Sequence, residues 1–172
     1  MTVRRILIYP EDCLKQVAQP VTNFKDPELK TLVEDMAETM YDAPGVGLAA
    51  PQVGVSLRVA VTDVNWKSSE TGERNYKVWI NPEFTWKSEE KDVNEEGCLS
   101  LPDIYGDVAR PNAVRLKWYD LEGNVYEEDF NDFQAVALQH EFDHLDGKVF
   151  IDYFSRLKRS MIIKRLKKKY LS

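Results

Sequence analysis

FQAVALQHEFDHLDG, residues 133–147, holds the only two histidines of the chain, His140 and His144, with a glutamate beside the first. The opening FQAVAL is largely apolar, and the run has helical spacing closed by Gly147 near the C′ position. The acidic half, EFDHLD, would suit a solvated helix. The apolar half instead predicts a helix buried on most faces, where two imidazoles and a carboxylate need partners.

The segments around this helix supply what it packs against. In DPELKTLVEDMAETMYDAPG (26–45), Asp26 suits the N-cap, Pro27 the first helical position and Glu28 the positive end of the helix dipole. Leu29, Leu32, Val33, Met36 and Met40 share one face, and Pro44-Gly45 end the run. LRVAVTDV (57–64) and NYKVWINP (75–82) read as strands joined through the turn SSETG (68–72). Residues 112–130 read as a hairpin: Val114, Leu116 and Trp118 alternate, Glu122-Gly123-Asn124 turn the chain, and Val125 begins the return. FSRLKRSMIIKRLKKKYL (154–171) reads as a last helix, with Leu157, Met161 and Ile162 facing inward. Strands grouped between helices without regular alternation predict an α+β fold. With no repeat and no low-complexity linker, residues 1–172 form one expected domain.

Composition agrees. The chain has 172 residues, 43% hydrophobic and 30% charged, ordinary for a globular domain with a real core. Its two cysteines lie far apart and form no disulfide framework, which fits a reducing compartment. The apolar run near the N-terminus is too short for a signal peptide, and no later run is long enough to span a bilayer, so the expected location is cytoplasmic with no membrane partner. Net charge is −6, unevenly spread: eight bases and no acids fall in 156–172, leaving the rest of the chain at −14. An acidic body argues against general nucleic-acid binding by the main domain.

Residues four apart on a helix stand on one face, so His140 and His144 can offer two ring nitrogens to one ion at about 2.0–2.1 Å. Glu141 lies about 100° around the axis, within reach of a water at that ion without being a ligand. This HExxH arrangement points to metal-assisted hydrolysis. A catalytic site of this kind takes three protein ligands and keeps one position open. After His144 only Asp146, on the wrong side of the helix, and Asp152, beyond the Gly147 stop, remain, so the third ligand is expected upstream. Cys13, in PEDCLKQ, reads better as an ordinary thiol. Cys98 lies in EEGCLSLP (95–102), where Gly97 permits close backbone approach and Pro102 ends the run. A thiolate and two neutral imidazoles would leave a divalent site at a net charge of about +1, which suits an ion that acidifies water.

Three separated segments, GVGLAAPQVG (45–54), EGCLSLP (96–102) and QHEFDHLDG (139–147), with VAR (108–110) as a weaker fourth, resemble the peptide deformylases in content, order and spacing. The resemblance covers nearly the whole chain. It implies a compact α+β fold with the HExxH helix packed among antiparallel strands. It implies Cys98, His140 and His144 as ligands to one divalent metal ion, usually Fe(II) in this family, with nickel, cobalt or zinc able to substitute. Glu141 would be the acid and base, and Gln52 and the backbone N–H of Leu99 would hold the developing oxyanion. The implied reaction removes the formyl group from N-formylmethionine at the start of nascent bacterial or organellar polypeptides, in the bacterial cytoplasm or in an organelle after loss of a transit peptide. Gly45, Val46 and Gly47 would line one edge of the substrate site, Val136 and Ala137 the methionine pocket, and Leu99 would close it. Tyr105 stands where some relatives carry a basic residue near the pocket mouth. Glu96 is placed to pair with Arg110 and brace the ligand loop; Asp143 reads either as orienting a neighbour or as simply solvated.

The basic C-terminal helix, 156–172, reads either as a solvated end whose cations favour the helix dipole or as a dock for an RNA-rich surface; the resemblance suggests the ribosome. Two other functions fit parts of the pattern. A metalloendopeptidase shares the HExxH chemistry but lacks here a ligand after His144. A catalytically silent metal-binding protein would need a fourth protein ligand.

Overall fold

The computed structural model describes residues 2–172. Helix α1 spans Pro27–Asp42; the Asp26 carboxylate caps it by accepting from the Glu28 N–H at 3.0 Å. Its apolar stripe, Leu29, Leu32, Val33, Met36 and Met40, is buried as expected.

Five antiparallel strands form the larger sheet, in the order β1 (Gly47–Ala49), β2 (Val59–Thr62), β3 (Lys77–Lys87), β6 (Ala113–Tyr119), β7 (Val125–Asn131). The expected 112–130 hairpin is β6–β7, in register from Ala113↔Asn131 to Tyr119↔Val125. A separate two-stranded ribbon pairs β4 (Lys91–Cys98) with β5 (Leu101–Pro111). Sequence reasoning placed no strands there, because β4 is exposed and charged and shows no alternation. Pro102 does not end the run but is the second residue of β5, a position that strands tolerate for proline. β1 was also unforeseen: GVGLAAPQVG reads as a turn, yet Gly47–Ala49 pair with Ala60–Thr62.

Helix α2, Asp132–Leu145, follows β7 without a linker; Asp132, at φ 53°, turns the chain from strand into helix. It is buried on nearly every face, through Ala135, Val136, Leu138, Gln139, Glu141, Phe142, His144 and Leu145. Gly147, at φ 74°, takes the left-handed turn past its end. One side of α2 packs on Trp79, Leu116 and Trp118 from the large sheet. Beyond it, Leu101, Ile104, Val108, Phe150 and Ile151 form a second core with helix α3, Arg156–Tyr170.

The inward face of α3 differs from expectation. Leu157 and Met161 are 73% and 62% exposed, whereas Ile162 and Leu166 are 7% and 1% exposed. Residues 162, 166 and 170 make an apolar row free of cations, while the row through 157 and 161 continues into Arg165 and Lys168. The core takes the uncharged row.

Candidate metal centre

The last two turns of α2 carry His140, Glu141 and His144, and the end of β4 delivers Cys98 across a register shift between Gly97 and Cys98. Gly97 lets the Tyr105 ring lie close over this course: a Cβ there would stand 2.7 Å from the ring, which would have to shift. One donor atom each from Cys98, His140 and His144 falls within 4.8 Å of the others, the single such group among the described residues. Cys98 Sγ lies 3.4 Å from His144 Nε2, close to the separation of about 3.5 Å that a sulfur and a nitrogen keep on one tetrahedral ion. The alternatives lie elsewhere. Cys13 lies in a 3₁₀ turn, Asp12–Lys15; Asp146 pairs with Arg58 at 3.0 Å and Asp152 with Arg159 at 2.7 Å.

The surrounding contacts suit a metal. His140 Nδ1 meets Glu96 Oε1 at 2.9 Å, which turns the Nε2 lone pair toward Cys98 when that nitrogen is deprotonated, the carboxylate–histidine arrangement of metal sites. Burial, with the charges of His140 and Arg110, holds His144 well below the usual imidazole range, so it stays neutral, the form that ligates. Burial opposes charge on His140 too, but its hydrogen bonds to Cys98 and Glu96 outweigh it and raise the ring well above the usual value. Loading a metal there displaces that proton. Among the described residues, two buried side-chain polar atoms have no protein partner, Glu141 Oε2 and His144 Nδ1.

Glu96 is held by more than His140. Arg110 donates from Nε to Glu96 Oε2 at 2.6 Å, from Nη2 to Oε1 at 2.9 Å, and from Nη1 to Asp143 Oδ2 at 2.9 Å. The Tyr153 hydroxyl donates to the same Asp143 oxygen at 2.9 Å. Burial would raise the Glu96 carboxyl, but the hydrogen bonds from His140 and Arg110 overcome it and lower it below the usual value. The expected Glu96–Arg110 brace is therefore present, and Asp143 orients Arg110.

Glu141 is 4% exposed, and burial pushes its carboxyl up to about 7. It lies against β1: a Cβ on Gly47 would stand 2.7 Å from Glu141 Cδ. Gln52 sits deeper, 1% exposed. Its Oε1 accepts from the Ala49 N–H at 2.9 Å, and its Nε2 donates to Ser100 Oγ at 3.1 Å and, at 3.6 Å, toward Cys98 Sγ.

A cavity of about 760 Å³ opens above these groups. Gly45, Val46, Gly47, Leu99, Tyr105, Val136 and Ala137 line it together with Cys98, His140 and Glu141, while His144 and Gln52 lie beneath its wall. Leu99 packs on Gly45, where a Cβ would meet Leu99 Cδ1 at 2.8 Å. Sequence reasoning missed Ser100, Phe133 and Lys67. Phe133 was open to it, because 133, 136, 137 and 140 share one face of α2. Ser100 and Lys67 carry no local signal.

A family described as polypeptide deformylase matches residues 3–160. A peptide deformylase of Novosphingobium aromaticivorans is 50% identical over 184 aligned positions, spanning 98% of this chain and 97% of the relative. Among solved structures, a peptide deformylase from Legionella pneumophila is similar at TM-score 0.86 and 43% identity, over 97% of this chain and 95% of that one. One from Ehrlichia chaffeensis in complex with actinonin is similar at TM-score 0.89 and 37% identity over the whole of both chains.

Proposed function

Because the chain belongs to the polypeptide deformylase family, we propose the following division of labour among its residues. As a member it is a metal-dependent hydrolase that removes the N-formyl group from nascent polypeptides. The observation that carries the residue assignment is the convergence of Cys98, His140 and His144 beside the buried Glu141 at the base of one cavity, which Cys98, His140 and Glu141 line.

Cys98, His140 and His144 would hold one divalent metal ion, which would supply the Lewis acidity that acidifies a water and polarises the formyl carbonyl. Glu141 takes a proton from the attacking water as its oxygen bonds to the formyl carbon. A carboxyl raised to about 7 suits a group that must accept and return a proton near neutrality. As the C–N bond breaks, Glu141 gives that proton to the departing amine and formate leaves. The Leu99 N–H and the Gln52 amide, released from its long contact to Cys98, hold the negative oxygen. One such donor contributes about 2.7–4 kcal/mol in the transition state. The Gly45–Gly47 edge pairs with the peptide backbone, Val136 and Ala137 receive the methionine side chain, and Tyr105, 63% exposed, flanks the mouth.

The native ion is Fe(II), on the family resemblance, and residues 1–172 act as one deformylase domain in the cytoplasm. No described helix is long and apolar enough to cross a membrane. α3 presents Arg156, Lys164, Arg165, Lys167 and Lys168 as exposed cations for docking to the ribosome. Binding that contacts phosphates weakens steeply with salt.

The deciding experiment is anaerobic purification with metal analysis, followed by formate release from a formyl-methionyl peptide beside cleavage of an internal peptide bond. Formate release with one metal per chain supports the reading. Cleavage of the internal bond alone would replace it with the endopeptidase.

A further inference from the structure

Residues 63–76, between β2 and β3, have no part in the chemistry above, yet they are fastened to the substrate edge at two successive carbonyls. The Asp63 N–H donates to Val46 O and the Trp66 indole N–H to Gly45 O, both at 2.8 Å. The β1–β2 ladder begins only at Gly47↔Thr62, so these two bonds fix the chain just ahead of it.

Trp66 is itself caged. Its ring meets Tyr41 of α1 edge-on, centroids 5.2 Å apart at 87°, and the Arg74 guanidinium lies over both rings, 4.6 Å from Tyr41 and 5.4 Å from Trp66. The Tyr41 hydroxyl donates to Asp63 Oδ2 at 2.5 Å, and that oxygen also accepts from the Asn75 N–H at 2.7 Å. Both ends of the segment are thus tied to α1, with Trp66 between them. Lys67, the next residue, lines the cavity.

The geometry points to Trp66 as a positioning residue for the peptide substrate: its indole N–H sets the orientation of the Gly45–Val46 peptide unit. The C=O and N–H of one trans peptide point in opposite directions, so holding Gly45 O on Trp66 turns the Val46 N–H away from the segment. β1 is an edge strand, where an extended chain is recognised through main-chain groups, and a few tenths of an ångström decide such bonds. This inference rests on Gly45–Gly47 being the peptide-binding edge.

Trp66→Phe keeps an aromatic ring against Tyr41 and removes the donor together with part of the indole's bulk; Arg74→Met separates the loss of cage packing from the loss of the donor. In the metal-loaded full chain, KM for a formyl-Met-Ala-Ser peptide should rise about three- to tenfold, the range of one ordinary hydrogen bond, with kcat within about twofold. Hydrogen exchange over residues 43–49 should accelerate. Arg74→Met, which loosens the cage and leaves the N–H in place, should raise KM by less. A well-folded Trp66→Phe with wild-type KM, or one whose kcat falls in step with the rise in KM, overturns the inference. If the wild-type chain releases no formate, the functional reading fails, and exchange alone decides this one: faster exchange at 43–49 supports it and unchanged exchange overturns it.

Discussion

Gly47→Ala tests the geometry of the site with a single methyl group. Gly47 is in β1 with ordinary strand backbone, so alanine adds no conformational strain. The added carbon would stand 2.7 Å from Glu141 Cδ and 2.8 Å from both Cγ and Oε2, short of ordinary contact at 3.4 Å by about 0.7 Å. Glu141 is 4% exposed and lines the cavity, so the displaced carboxylate would move off its place against β1. Overpacking of this kind costs about 1–3 kcal/mol in stability. The larger effect falls on turnover, because moving a reacting group by about 1 Å can cost about 10²-fold. The expected result is a loss of kcat of about 100-fold, about 2.7 kcal/mol in activation free energy, with KM changed little and one metal per chain retained. Steady-state formate release beside metal analysis measures both. Gly45→Ala is the contrast: its Cβ meets Leu99 Cδ1, the far end of a flexible side chain, and should cost less than about tenfold, mostly in KM. If Gly47→Ala turns over within threefold of wild type, or is inactive only because metal is lost, Glu141 does not work from the position assigned to it.

Glu141→Ala should bind metal as wild type does and lose most turnover; metal analysis and formate release on one sample decide. Cys98→Ser should lose metal, since a hydroxyl is a far poorer ligand than a thiolate, and full occupancy would move the third ligand elsewhere. Glu96→Gln removes the carboxylate behind His140 and should weaken metal binding about 10–100-fold in a chelator competition. Away from the site, the Thr2 N–H and the Arg4 guanidinium hold the Asp35 carboxyl below its usual range. A carboxylate depressed by folding stabilises the protein above its unfolded pKa, about 3.9, and that stabilisation is lost as pH falls through the folded value. The gap in Tm between wild type and Asp35→Asn should therefore be full above about pH 5 and close on acidification; a gap that widens toward low pH would contradict this clasp.

The helices and the β6–β7 hairpin were legible in the chain because their signals span a few residues. Asp26 and Pro27 mark the start of α1, its stripe repeats each turn, and Gly123 turns the hairpin. The spacing of His140, Glu141 and His144 is likewise a local property of one helix, so the candidate ligand pair and the candidate general base were readable before any packing was known. The pattern of three segments also identified the family, because their content, order and spacing are carried by the letters themselves.

Tertiary structure decided what depends on distant parts of the chain. Cys98 and His144 are 46 residues apart, and only the placement of the β4–β5 ribbon beside α2 brings sulfur and nitrogen to 3.4 Å. The ribbon was hard to read because β4 is exposed and charged, and β5 spaces its few buried apolar residues, Leu101, Ile104 and Val108, among Asp103, Gly106 and Asp107. The buried face of α3 depended on which of two apolar rows the second core could take without burying a cation. Nothing local marked the contact of Gly47 with the Glu141 side chain or of the Trp66 indole with the Gly45 carbonyl, since each pair joins different parts of the chain. Local sequence encodes periodicity, caps and turns; which surfaces meet is settled by the packing of the whole chain.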